Sequence, residues 1–260
     1  MIKRFNNFQE KIIIPNIITK EKYPLVRHLS SFESAICILE NGLIMSRNEM
    51  KRNIDQIDPA VIERKSIDSN NKWWDERREL ENNKFGTEDL IFCIPDWYNN
   101  SGYETGHGPV MIYFKPSIFE DFKVTLTIED SLTETHKKVY NNNEIQKIYS
   151  NILNENSNSE YKYEAKKILE NLNHKNKRDV FQTSKGPMLI EGDRFYNKYA
   201  EIQIHTTKIP IEYIQEIRFT DNYLDVKKTD RKKKDKIILM AKDKKIVINN
   251  DTQNKSFNTL

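Results

Sequence analysis

Two cysteines in 260 residues, Cys37 and Cys93, are too few and too far apart for a disulfide framework or a zinc-ligand pattern. Cys37 falls on the apolar side of a predicted helix and Cys93 inside an apolar strand, so both are expected to be small buried residues. No apolar run approaches the length of a membrane span, which excludes a membrane partner of that kind. The N-terminus, beginning Met1-Ile-Lys-Arg, lacks the hydrophobic stretch of a secretory signal, and a cytoplasmic location is expected. His28, His107, His136, His174 and His205 are scattered without ligand spacing, so no metal site is expected. The chain also has no Walker phosphate loop, no GxGxxG after a strand, no HExxH and no nucleophile elbow. Kinases and hydrolases of the common types lose their support.

Charged residues make up 31% of the chain and hydrophobic ones 37%, which implies an economical interior under a strongly polar surface. The net charge of +3 does not by itself imply nucleic-acid binding. Its distribution is uneven, however. Lys227 to Lys236 form a local basic run, read either as a phosphate contact or as a solvated face or strand edge.

The segment Leu25 to Arg47 is the most informative. Leu25 to Leu29 is extended and follows Pro24. Ser30 and Glu33 have capping-box spacing, and Phe32, Ala35, Ile36, Leu39 and Leu43 recur at helical intervals. Gly42 supplies a left-handed exit. A strand–helix unit is predicted.

Further strands are predicted over Asp89–Ile94, Pro109–Phe114 and Pro187–Ile190, and over Ala200–Ile204 and Ile217–Phe219. Another, Val124–Ile128, alternates Thr with apolar residues and so predicts one wet face. A polar connection over about 48–86, carrying Trp73-Trp74, reads as one or two helices, and the tryptophans as a packed lid or core edge. A second insertion, over about 131–177, reads as two amphipathic helices, the first marked by Ile145, Ile148 and Tyr149. Ile209 to Ile214 reads as a short helical or turn segment. Lys236–Met240 and Lys245–Ile248 read as a hairpin, and the tail after about 250 as disordered. The whole chain, 1–260, is expected to form one α+β domain.

Four pieces, in order, resemble the ADP-ribosyltransferase superfamily, particularly its DarT-like and phage-defence or toxin branches. They are Arg27-His28-Leu29-Ser30 feeding a helix that ends in Gly42-Leu43; His107-Gly-Pro-Val-Met-Ile-Tyr-Phe114; Phe195 to Ile204 with Glu201; and the succession Ile209-Pro, Ile217-Arg-Phe219. They cover about a third of the chain. The resemblance implies a split mixed β-sheet core with helical insertions, and NAD as substrate.

It implies Glu201 as the catalytic carboxylate. Cleaving the nicotinamide bond builds positive charge at the anomeric carbon of the ribose, and a fixed carboxylate stabilises it. An Arg or His on the opposing strand would hold ribose and diphosphate. Arg27 and His28 point to opposite faces of a regular strand, so one of them enters the cleft. The His-x-Ser pattern favours His28 for the ribose, with Ser30 beside it. Arg47 is a second phosphate candidate, and Tyr113, Tyr103 or Tyr98 are candidates to stack on nicotinamide. Beside these stand plainer readings: Glu201 as an ordinary strand carboxylate, His28 as a hydrogen-bonded strand histidine, Arg47 as a helix-terminal charge.

Enzymes that modify protein arginine carry Glu or Gln two residues before the catalytic Glu. Here that position is Tyr199, which shifts the expected acceptor toward a base in single-stranded DNA or RNA. Such a toxin would need an antitoxin protein as partner. Two alternatives remain: a non-catalytic binding module on a degenerate transferase fold, and an NAD glycohydrolase that uses water as acceptor.

Overall fold

A computed structural model describes residues 23–65, 67, 72–95, 108–128, 138–153, 180–183, 186–189, 200–219 and 228–249. The first unit is strand β1 (Val26–Ser30) followed by helix α1 (Phe32–Asn41). The helix is capped by Ser31, whose Oγ accepts from the Ser34 N–H at 3.1 Å, and not by Ser30. Ser30 is drawn into the strand instead, paired with Val110. At the other end Gly42 takes φ 69° and its N–H bonds the Ile38 carbonyl. Phe32, Ala35, Ile38 and Leu39 bury the helix's apolar stripe.

Short strand β2 (Leu43–Met45) leads into α2 (Arg47–Arg52), a 3-10 turn (Ile54–Gln56), α3 (Pro59–Lys65) and α4 (Lys72–Phe85). Among the described residues the polar connection thus holds three α-helices and a 3-10 turn, where one or two helices are expected from the sequence. Then come β3 (Leu90–Pro95), β4 (Val110–Phe114), α5 (Ile118–Asp121), β5 (Val124–Ile128), β6 (Val139–Asn141) and α6 (Asn142–Leu153). A two-stranded ribbon, β7 (Val180–Thr183) with β8 (Gly186–Leu189), precedes β9 (Ala200–His205), β10 (Lys208–Pro210) and β11 (Ile214–Phe219). Residues 209–214, expected as a short helical or turn segment, are the end of β10, a 3-10 turn over Ile211–Tyr213 and the first residue of β11, with β10 paired to β2.

The last elements are helix α7 (Lys228–Asp243) and strand β12 (Val247–Asn249). The expected hairpin across 241–244 is therefore not formed. Ile237 and Ala241, one helical turn apart, are both fully buried, and a helix is what lets them share a face. It also supplies the long crossover that parallel pairing of β12 with β11 requires. The basic run rides on the outer side of α7, where Lys236 meets Glu40 of α1 at 2.6 Å and Lys233 pairs with Glu33.

Eight of the twelve described strands form a mixed sheet in the order β12-β11-β4-β1-β3-β9-β5-β6. Its centre is irregular. β1 pairs with β4 along its whole length, Val26↔Phe114 to Ser30↔Val110, but with β3 only at Val26↔Pro95 and Arg27↔Ile94. Beyond Arg27 the two strands part, and β3 continues with β9, Leu90↔His205 to Cys93↔Ile202. The sheet is split between β1 and β3.

One face of both halves is covered by α1, α6 and α7 and forms a continuous core of Val26, Ile112, Ile217, Ile91, Leu126, Ile202, Ile145 and their neighbours. Gly108, two residues before Val110 of β4, packs against the end of β1 at Ser30. Its φ is 125°, and a Cβ there would lie 2.3 Å from the Ser30 carbonyl oxygen. Only glycine fits. Among the described residues no helix is long and apolar enough to cross a membrane.

Candidate active site

The strand registers decide which candidates share a face. Arg27 lies opposite Tyr113 on β4 and Ile94 on β3. The β3–β9 register, continued one residue past Cys93↔Ile202, sets Ile94 opposite Glu201, and Glu201 lies opposite Thr127. Tyr113, Arg27, Ile94, Glu201 and Thr127 thus form one row across the sheet, on the face away from the continuous core. Arg27 and Glu201 are two strand spacings apart, roughly 10 Å between backbones. Both are buried, Arg27 at 3% and Glu201 at 8% exposure.

Arg27 Nη1 meets Met111 Sδ at 3.2 Å, and Leu29, Met111 and Tyr113 pack beside it. The Arg218 guanidinium sits 4.4 Å over the Tyr113 ring, so one face of that ring is already occupied. Cys93 is fully buried on the core side of β3. Burial, reinforced by the Glu201 charge, pushes its thiol well up. Cys37 is buried too, and both thiols are free.

His28 and Ser30 point to the other face. His28 sits where the sheet splits, and its Nδ1–H donates to the Phe92 carbonyl at 3.0 Å. A carbonyl only accepts, so this bond fixes the proton on Nδ1. The imidazole replaces a backbone donor that β1 no longer offers as it leaves β3. On this side His28 lines a cavity under α1 with Ser34, Cys37, Ile38, Asn41 and Met45, and among the described residues its walls include no lysine or arginine for a diphosphate. Ser30 is buried at 1% exposure, and its Oγ has no hydrogen-bond partner among the described residues.

Helix α4 lies across the face that carries Glu201. Phe85 meets His205 edge-on at 6.0 Å between ring centroids, and Arg77 sits 5.1 Å over Phe92, the residue opposite Gln203. At the first position of α2, Arg47 stacks 3.3 Å over the Trp74 ring, and Arg77 approaches the same ring at 5.4 Å. Arg77 Nε donates to Glu81 Oε1 at 2.7 Å, and burial holds the Glu81 carboxyl above its ordinary range despite Arg77 and Arg47.

Arg47 is pushed down to about 10, by burial first and then by repulsion from Arg77 and Arg78, against the pull of Glu81. Two arginines, Arg47 and Arg77, with the Glu81 carboxyl beside them, therefore border the Glu201 face. Arg77 was not singled out by sequence; its Arg-x-x-x-Glu spacing to Glu81 reads equally as a surface helix pair. Trp74 is the packed edge expected.

The base of this wall is fixed by charge. Arg52 grips both Asp89 oxygens, at 2.9 and 3.3 Å. Ser46 Oγ donates to Asp89 at 2.9 Å, and Lys208 and Asn53 converge on Glu49. Lys208 and Arg52 hold the Glu49 carboxyl down to about 2.

A polar chain runs along the same face from Glu201. Thr127 and Thr125, expected on a wet face of β5, are buried at 0% and 4% exposure. The reason is that they meet polar groups of β9. Gln203 Nε2 donates to Thr127 Oγ1 at 3.0 Å, to the Glu201 carbonyl at 3.2 Å and to Glu201 Oε2 at 3.3 Å. Thr125 Oγ1 donates to Gln203 Oε1 at 3.0 Å and lies 2.9 Å from His205 Nε2. Burial, helped by Lys123, holds His205 down to about 4.

Of the other sequence candidates, Tyr98, Tyr103, His107 and Tyr199 lie outside the described residues.

No protein-family model matches the chain, and no curated protein matches it. Solved structures do resemble it. DarT from Thermus sp. 2.9 in complex with ADP-ribosylated ssDNA is 11% identical with a TM-score of 0.45, over 88% of this chain and 94% of that one. The same protein in complex with NAD+ is 10% identical with a TM-score of 0.44, over 89% and 98%. Thermosipho africanus DarTG in complex with ADP-ribose is 13% identical with a TM-score of 0.45, over 88% of this chain and 50% of that one.

Proposed function

We propose that this chain is an ADP-ribosyltransferase that cleaves NAD and passes ADP-ribose to a base in single-stranded nucleic acid. The observation that carries the reading is the row across the split sheet, in which Arg27 and Glu201 share one face with a single strand between them. A guanidinium and a carboxylate so spaced are complementary to a ribose joined to a diphosphate.

In this scheme Glu201 accepts a hydrogen bond from a ribose hydroxyl and faces the anomeric carbon. As the bond to nicotinamide breaks, nicotinamide leaves with the bonding pair, and the carboxylate stabilises the positive charge left on the ribose. A ring or exocyclic nitrogen of the acceptor base then bonds the anomeric carbon and loses a proton. Arg27 grips phosphate oxygens with paired donors, and Arg47 with Arg77 supplies the remaining countercharge from the wall. His28 holds the split open at Phe92, with Ser30 beside it. Tyr113 backs Arg27 rather than stacking on nicotinamide, because its ring is buried, with one face under Arg218. An enzyme of this kind endangers its own nucleic acid, so a toxin or anti-phage effector with an antitoxin partner is the role that fits.

Purified protein incubated with labelled NAD and single-stranded DNA or RNA should release nicotinamide and label the nucleic acid. Release of free ADP-ribose, with the acid unlabelled, would make it a glycohydrolase. No release in any condition would leave a binding module.

A further inference from the structure

Gln203 lies two residues after Glu201, is fully buried, and is held at both ends of its amide. The order of donors along the chain follows from elementary valence. The Thr125 hydroxyl has one proton and gives it to Gln203 Oε1, so toward His205 it accepts, and the proton there is on His205 Nε2. With Oε1 committed to Thr125, the amide nitrogen of Gln203 faces Thr127 and Glu201. The donors from His205 through Thr125 to Gln203 therefore run in one direction, and the two protons of the Gln203 amide are shared among Thr127 Oγ1 at 3.0 Å, the Glu201 carbonyl at 3.2 Å and Glu201 Oε2 at 3.3 Å. A buried glutamine so pinned has one orientation, and reversing it would set its oxygen against the carboxylate.

We propose that Gln203, oriented by Thr125, Thr127 and His205, is the positioning residue that fixes the orientation of the Glu201 carboxylate on the face it shares with Arg27. The proposal rests on the reading of Glu201 as the catalytic carboxylate. Gln203 itself touches neither substrate nor reacting atoms. It removes the freedom of a carboxylate that must meet charge developing at a single carbon, and it donates to the ionised form.

Two measurements on the full chain test it. In infrared spectra, the Glu201 carboxylate band is isolated as the difference between wild type and Glu201→Gln. Gln203→Met, close in volume but without an amide, should shift that band, and Thr125→Val should shift it in the same sense. In NAD turnover, Gln203→Met should lower kcat about 10- to 100-fold with KM for NAD nearly unchanged. It should have no further effect in a Glu201→Gln background. Gln203→Asn, which keeps the amide, should shift the band less than Gln203→Met.

A band unmoved by Gln203→Met overturns the proposal, whether or not the protein consumes NAD. So does a loss of turnover carried by KM, or one that persists undiminished in the Glu201→Gln background. A shifted band in a protein that never consumes NAD upholds the contact and sinks the transferase reading instead.

Discussion

Arg27 and Glu201 stand in one cross-strand row with Ile94 between them, on the side of the split sheet that α4 covers. Their opposite charges are carried by strands from the two halves of the sheet, so the pair depends on the β1–β3 contact at Arg27↔Ile94. Arg27→Lys keeps the charge but loses the paired donors. It should lower NAD turnover about 100-fold in a protein whose circular dichroism is unchanged, and Glu201→Gln should do at least as much.

His28 is expected to act through the sheet. Asparagine can offer a nitrogen donor in the position of Nδ1, so His28→Asn should retain most activity and stability, while His28→Ala should lose about 1 kcal/mol of stability with the Phe92 bond. Equal loss of turnover in both variants, with stability intact, would mean instead that the ring contacts substrate.

Ser31 and Ser30 are separable by a stability measurement. Ser31→Ala removes the α1 cap and should cost about 1 kcal/mol in chemical denaturation. Ser30→Ala should cost about half as much or less, because no described group bonds its hydroxyl.

Much of this architecture could be read directly from local pattern. The β1–α1 unit, its glycine exit, β3, β4 and β9 follow from periodicity and turn residues that act within a few positions. Structure and local pattern diverge where two local readings are equal and a distant partner decides between them. Ser30–Glu33 and Ser31–Ser34 both have cap spacing, and pairing of Ser30 with Val110 settles the matter. Ile237 to Met240 is a short apolar run that suits strand or helix; burial of Ala241 beside Ile237 selects helix.

Alternation put Arg27 and His28 on opposite faces, but only the registers of β3 and β9 say which face holds Glu201. The role of Gln203 is hidden in the sequence for the same reason. Its partners Thr125 and Thr127 lie more than seventy residues away in the chain.

Acid should weaken the fold in two windows. His205 is held near 4 against an ordinary 6.5, so the unfolded chain binds the extra proton between those values. Stability is lost as pH falls through that range. Glu49 is held near 2 against an ordinary 4.5, and its contribution is full above 4.5 and lost as pH falls toward 2. The melting temperature of wild type should therefore fall from pH 6.5 downward. His205→Gln should flatten the upper window and Glu49→Gln the lower one. A wild-type profile flat from pH 7 to 4 would contradict the burial of neutral His205.

Gly108→Ala places a methyl against the Ser30 carbonyl at a backbone angle that alanine rarely adopts. It should destabilise the fold by about 2 kcal/mol or more, read from the denaturation midpoint.

The measurement that bears most directly on the whole is NAD consumption by wild type and Glu201→Gln, each with and without single-stranded nucleic acid. The expected result is nicotinamide release that requires Glu201, rises with the nucleic acid, and leaves label covalently attached to it. Equal turnover in the two proteins, or none in either, would contradict the assignment of Glu201 as the catalytic carboxylate.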